Sequence, residues 1–243
     1  MEIQVTRNDS LEMLQAKVLS SMRSIAQNIL AAGKQPETPE QLFAAAIRLG
    51  DKTLAGISPT VLEDPDKIGW SVPICKSGCH YCCYEQVNVT PPEVFTIETY
   101  IKNHWPDDRQ RSLRKRLQSA AAKAQNLGQN TYYKARIACP LLNAQGMCSI
   151  YEVRPLMCRA YNSLDLKRCE RAAKLAHKPV RERGVPANGS VHGVFNGVYS
   201  GLRKGLEVEQ LQSHLPMLVV ALQLVFDDAT LKDRWLKGDR VFG

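Results

Sequence analysis

The chain has 243 residues, 44% hydrophobic and 23% charged, with a formal net charge of +8. This is the composition of a soluble globular protein with room for one domain and helical extensions. The longest apolar run, near residues 216–226, is broken by Gln223 and is too short to span a bilayer. The first ten residues lack the basic-then-apolar layout of a signal peptide. The expected location is therefore the cytoplasm, where disulfides rarely persist. The positive charge is compatible with an acidic partner, with anionic lipid, or with a site whose own charge is negative. Nucleic acid is disfavoured, because a generally basic surface explains the charge equally well.

The elements read in chain order are helical. Residues 10–31 carry Ser10 as N-cap and Leu11, Leu14, Val18, Met22, Ile25 and Ile29 at three- and four-residue steps. That stripe suits packing on a core, and it is also narrow enough for a dimer seam. Thr38-Pro39-Glu40-Gln41 starts a second helix, with Leu42, Ala46 and Leu49 facing inward and Gly50 expected to stop it. Residues 51–73 read as an irregular lead-in. Residues 86–90 alternate briefly and suggest a short strand. Thr90-Pro91-Pro92-Glu93 is a capping box with a proline in the first turn, and Trp105-Pro106 ends the helix that it opens. Residues 107–127 form a basic helix with Arg109, Arg111, Arg114, Lys115 and Arg116 in its first half. This is a solvated face or a docking surface for an acidic protein partner.

A further helix is expected over 166–176 and a loop over 177–189. Gly189, Gly193, Gly197, Gly201 and Gly205 then recur every fourth residue. Each such glycine costs a soluble helix about 1 kcal/mol against alanine. Close helix–helix contact along a bare face is the favoured compensation, and backbone approach to a ligand is the other. A buried helix near 215–226 and an amphipathic end with Leu231, Trp235 and Leu236 close the chain. The fold class is mainly α, with irregular cysteine-rich loops and one short β element. The organisation is an N-terminal helical region (1–73), a cysteine-cluster core (74–176) and a C-terminal helical region (177–243), packed as one compact domain.

All eight cysteines fall between residues 75 and 169. Four occupy Cys75-Lys76-Ser77-Gly78-Cys79-His80-Tyr81-Cys82-Cys83, and Cys139, Cys148, Cys158 and Cys169 follow. In a chain expected to be cytoplasmic, that concentration points to metal rather than disulfides. Thiolates are soft ligands suited to zinc and to iron–sulfur clusters. Eight cysteines are numerically two four-ligand sites, but the count does not assign them. Adjacent Cys82 and Cys83 tend to point apart, so they can serve different sites, or one can be free. His80, His177 and, more weakly, Asp165 can stand in for a cysteine. Arg154 and Arg159 bracket Cys158 and can neutralise thiolate charge or hold an anionic substrate. Tyr151 and Tyr161 can donate hydrogen bonds to sulfur.

Several blocks agree, in order, with a known family. They are Cys75-x3-Cys79-x2-Cys82-Cys83, Val89-Thr90-Pro91-Pro92-Glu93, Cys139-Pro140-Leu141-Leu142, Cys148 through Tyr151-Glu152-Val153-Arg154-Pro155-Leu156, and Cys158-Arg159-x-Tyr161. Over about residues 75–169 the chain resembles the YkgJ-type cysteine-cluster family, whose domain is described as zinc- or iron-chelating. Its first spacing is Cys-x3-Cys where the family's pattern is Cys-x2-Cys. The resemblance extends to flagellin lysine N-methylases, which implies an iron–sulfur centre (4Fe–4S) and methyl transfer from S-adenosylmethionine as a candidate chemistry. The chain shows no glycine-rich strand-to-helix turn for that cofactor. The functional expectation is a cysteine-ligated metal protein holding an iron–sulfur cluster, iron or zinc, with a redox or protein-modifying activity. The alternatives are a non-catalytic structural zinc module and a metal carrier or sensor.

Overall fold

The computed structural model describes Ile3, Val5 and residues 9–57, 73–76, 78–125, 127, 129–175, 178, 183–213 and 216–243. Most of the expected irregular lead-in (58–72) and His177 lie outside the described residues. The described chain is mainly α-helical. Helix α1 (Leu11–Ala31) starts where Ser10 accepts the Met13 N–H at 3.2 Å, and it buries Leu14, Val18, Met22, Ala26 and Leu30. Helix α2 (Thr38–Gly56) runs six residues past the expected stop at Gly50. Gly50 is a contact rather than a terminator: a Cβ there would lie 2.6 Å from Cε1 of Phe195.

Helix α3 (Pro91–His104) begins at the expected capping box. Oε2 of buried Glu93 accepts from the Thr90 N–H at 2.7 Å and from its hydroxyl at 2.8 Å. Helix α4 (Asp107–Ala124) carries the basic run, and three of its arginines are engaged within the chain. Arg109 lies 3.7 Å over the Trp105 ring, Arg114 donates to the Phe226 carbonyl, and Arg116 Nε donates to the Pro140 carbonyl at 3.1 Å. Short helices α5 (Gln129–Tyr132), α6 (Leu156–Ala160) and α7 (Leu166–Lys174) lead to α8 (Gly189–Val208), α9 (Leu218–Asp227) and α10 (Leu231–Leu236). The expected strand at 86–90 is a single antiparallel bridge, Asn88 to Met217, because its partner segment turns into α9 at once.

The long helices α1 and α8 pack along the glycine repeat. A Cβ on Gly193 would meet Leu11 at 2.6 Å, on Gly197 the Gln15 carbonyl oxygen at 2.8 Å, and on Gly205 the Ala26 Cβ at 2.5 Å. The apolar stripe of α1 is thus buried against α8 of the same chain. One apolar cluster joins this pair to α2, α3, α9 and α10, with Phe95 and Trp235 at 5.6 Å between centroids. Among the described residues no helix is long and apolar enough to cross a membrane.

Candidate metal centre

The first cysteine block is a succession of turns. Cys79 N–H bonds the Lys76 carbonyl, Cys83 N–H the His80 carbonyl and Glu85 N–H the Cys82 carbonyl, at 3.0–3.1 Å. Gly78 takes φ +94°, a left-handed conformation that glycine adopts without steric cost. The second block is a tight hairpin in which Asn143 N–H bonds Met147 and Ser149 N–H bonds Leu141, each at 2.9 Å, placing Cys139 and Cys148 on opposite arms. The Asn143 side chain closes the turn by accepting from the Gln145 and Met147 N–H groups. The two blocks join where Cys139 N–H donates to the Cys83 carbonyl at 2.8 Å.

Cys158 sits on α6, which is fixed from both ends. At its start the second oxygen of Glu93 accepts the Leu156 N–H at 2.8 Å. At its end Asn162 donates to the carbonyls of Ala160 and Asn188 and accepts the Asn188 N–H at 2.6 Å. Asn188 in turn caps α8, so the glycine-packed pair supports the Cys158 segment. Cys169 projects from α7. Its N-cap is Asp165, whose carboxylate accepts the Arg168 N–H at 3.1 Å, which gives this candidate ligand a structural task. Ser163 lies with Cys75 and Cys169 in the wall of one cavity, and its hydroxyl donates to the Asp165 carbonyl and accepts the Asp165 N–H, both at 3.1 Å.

All eight cysteines are free thiols, Cys75 and Cys82 exposed and the other six half-buried. Among the described residues no three of His, Cys, Asp and Glu are already gathered closely enough to hold an ion. The thiols do converge on shared cavities. A cavity of about 80 Å³ is lined by Cys79, Cys82, Cys83, Cys139, Cys148 and Cys158. A second of about 340 Å³ is lined by Cys75, Cys79, Cys82 and Cys169, and an open cleft of about 470 Å³ by Cys75, Cys79, Cys82 and Cys158. Burial pushes the Cys139 thiol up to about 12 and raises Cys75, Cys148, Cys158 and Cys169. Cys82 is raised first by a hydrogen bond shared with Cys83 and then by desolvation.

The four polar candidates occupy different positions. Arg159 is held: Nε bonds the Arg154 carbonyl at 3.3 Å, its terminal nitrogens reach the Glu152 carbonyl, and Asp51 lies 3.9 Å away. Arg154 stacks 4.0 Å over the Tyr151 ring, and its buried Nε has no hydrogen-bond partner. It lines both the small cavity and the cleft, beside Cys82 and Cys148. A half-buried guanidinium whose inner Nε lacks an acceptor and which lies beside thiols suits an anionic thiolate–metal unit. Tyr161 lines all three cavities, its hydroxyl raised by burial and then by the charges of Glu85, Cys158 and Cys82. His80 Nδ1 is buried without a partner against Gly146, so this ring packs on the hairpin turn that carries Cys148.

Two groups near the thiols carry no signal in the pattern of residues. Ser163 reads as an ordinary loop serine. Glu85 and Arg183 form a buried ion pair beside the cavities, with Nη2 to Oε2 at 3.2 Å, although nearly a hundred positions separate them. Only the three-dimensional fold brings them together. Residues 74–178 match the CxxCxxCC family model, described as a "putative zinc- or iron-chelating domain". The match covers every cysteine and the blocks that carry the resemblance. No curated protein and no solved structure matches the chain.

Proposed function

We propose that the chain is a cysteine-ligated metal protein whose centre is an iron–sulfur cluster serving a redox or protein-modifying reaction. One observation carries this reading: eight free thiols from four separate segments line adjoining cavities, and one of these opens as a cleft past the cysteines. A purely structural metal site is closed, whereas a working one keeps an approach for substrate. The cysteines would hold the group, which supplies one-electron chemistry when bound. Arg154 balances the thiolate charge, and the apolar wall of Leu141, Ile150 and Leu218 keeps water from the inner thiols. Arg159, tied to the backbone of 152–154, holds the loop that presents Arg154.

A structural zinc module is the second reading. The Leu141 N–H on the Cys139 sulfur and the Ile150 N–H on the Cys148 sulfur favour it, because such bonds prepare a thiolate pair for a metal that supplies folding free energy. Anaerobic purification followed by iron, zinc and acid-labile sulfide analysis beside the absorption spectrum separates the two. Stoichiometric iron and sulfide with a broad visible charge-transfer band supports the cluster. Colourless protein with tightly held zinc and no sulfide overturns it in favour of the zinc module.

A further inference from the structure

We infer that the eight thiols form two four-cysteine metal sites meeting at the Cys82–Cys83 pair, with Cys75, Cys79, Cys82 and Cys169 in one and Cys83, Cys139, Cys148 and Cys158 in the other. This division rests on the metal-binding reading above and adds which residues act together.

The cavities draw the division first. The 340 Å³ cavity is lined by Cys75, Cys79, Cys82 and Cys169. The four cysteines absent from its wall are Cys83, Cys139, Cys148 and Cys158, and all four line the smaller, apolar cavity, whose wall Cys79 and Cys82 complete from the boundary between the two. The hydrogen bonds agree with this. Buried Ser163 lines the same cavity as Cys75 and Cys169, and its carbonyl accepts the Ile74 N–H at 2.9 Å, which brings the two ends of the cysteine region together. In the other group the 139–149 hairpin presents Cys139 and Cys148, and Cys83 is tied to Cys139 through the backbone.

Cys82 lies at the junction of the two groups. The thiols acting most strongly on Cys75 and Cys169 include Cys79 and Cys82. Those acting on Cys158 are Cys139, Cys82 and Cys148. Cys82 and Cys79 line both cavities, whereas Cys83 lines the smaller one and is absent from the wall of the larger. Consecutive residues therefore face two sites across a shared wall. Occupancy of one site places charge directly beside the other, so the two are coupled.

Cobalt(II) added anaerobically to the full-length metal-free protein tests the division, read by thiolate-to-cobalt charge transfer and by mass spectrometry of thiols protected from alkylation. The wild type is expected to saturate at two equivalents with all eight thiols protected. The C75S/C169S variant is expected to keep one equivalent that protects Cys83, Cys139, Cys148 and Cys158. The C139S/C148S variant is expected to keep one equivalent that leaves Cys83 and Cys158 unprotected. Saturation of the wild type at one equivalent overturns the division. So does a variant with an intact helical circular dichroism spectrum that loses all cobalt, or one that protects a mixed set. Should a variant lose its helical signal, the wild-type equivalence decides alone. A wild type that takes up no cobalt at all defeats the metal reading itself.

Discussion

Replacing Gly201 by alanine tests the contact on which the Cys158 segment ultimately leans. In an isolated helix the change is worth about 1 kcal/mol of stabilisation, because alanine restricts the unfolded chain and fits the helix. Within this fold the added Cβ would stand 2.8 Å from the Met22 Cβ and closer still to the Leu19 carbonyl oxygen. The nearer obstacle is backbone, so no rotamer change relieves it and α1 must move away. Overpacking of this kind costs about 1–3 kcal/mol, more where backbone has to shift. The net expectation is a loss of about 2 kcal/mol, or roughly 4–8 °C in Tm for a chain of this size. Gly56→Ala is the control: nothing lies within 4 Å of its Cβ, so the propensity gain stands unopposed and stability is expected to rise. Urea denaturation of the metal-free proteins, followed by circular dichroism at 222 nm (the wavelength of ~222 nm at which helices absorb), gives both values. A Gly201→Ala variant as stable as the wild type would refute the close approach of α1 and α8.

Four other outcomes can be checked. Glu93 has its carboxyl raised to about 7 by burial, against 4.5 for the ordinary group. In this window the native state binds more protons than the unfolded state, so this contribution is complete below pH 4.5 and is lost as pH rises through 7. It amounts to roughly 3 kcal/mol. Glu93→Gln should flatten that slope in metal-free denaturation at pH 5 and pH 7, and parallel curves for variant and wild type would count against it. Removing Arg183 leaves the Glu85 carboxylate buried without its cation; Arg183→Ala should cost about 3–5 kcal/mol, and much less if Glu85→Gln accompanies it. The raised thiols are protonated near neutral pH, so metal uptake should release protons and tighten as pH rises. Calorimetry in two buffers of different ionisation enthalpy reads the release, and none would exclude these thiols as ligands. Stripping the metal with chelator should leave most of the helical signal intact while amide exchange quickens in residues 75–85 and 139–149; wholesale unfolding would contradict this.

The parts legible in the sequence are those whose partners are local. The Thr90–Glu93 capping box lies within one turn, so residue types alone specify it. The glycine repeat announces a bare helix face, but the helix that lies against it is named only by the fold. Gly50 shows the opposite case, since the same residue type that ends a helix elsewhere here admits the Phe195 ring. The basic run of α4 suggested a solvated or docking face, and Arg109, Arg111, Arg114, Lys115 and Arg116 are all exposed; that Arg114 and Arg116 also reach the Phe226 and Pro140 carbonyls is known only from the fold. Arg154 and Arg159 look equivalent around Cys158, and only their partners distinguish a held guanidinium from one with an orphaned nitrogen. The cysteine cluster is visible at once in the sequence, whereas the grouping proposed for it rests on cavity walls and on a hairpin, neither of which has a spacing to read.

The manner in which the core supports the thiols bears on what they can do. The helices hold the cysteine segments by hydrogen bonds, Glu93 to Leu156, Asn162 to Asn188 and Arg116 to Pro140, and by burying Leu141, Ile150, Leu156 and Ala160 in the core cluster. The apolar cluster itself lies mainly among α1, α2, α3, α8, α9 and α10. On the proposed metal reading, the α1–α8 pair packs without any cysteine, so the scaffold would keep its shape when the ion is lost, and the cleft beside Arg154 would be the approach to the centre.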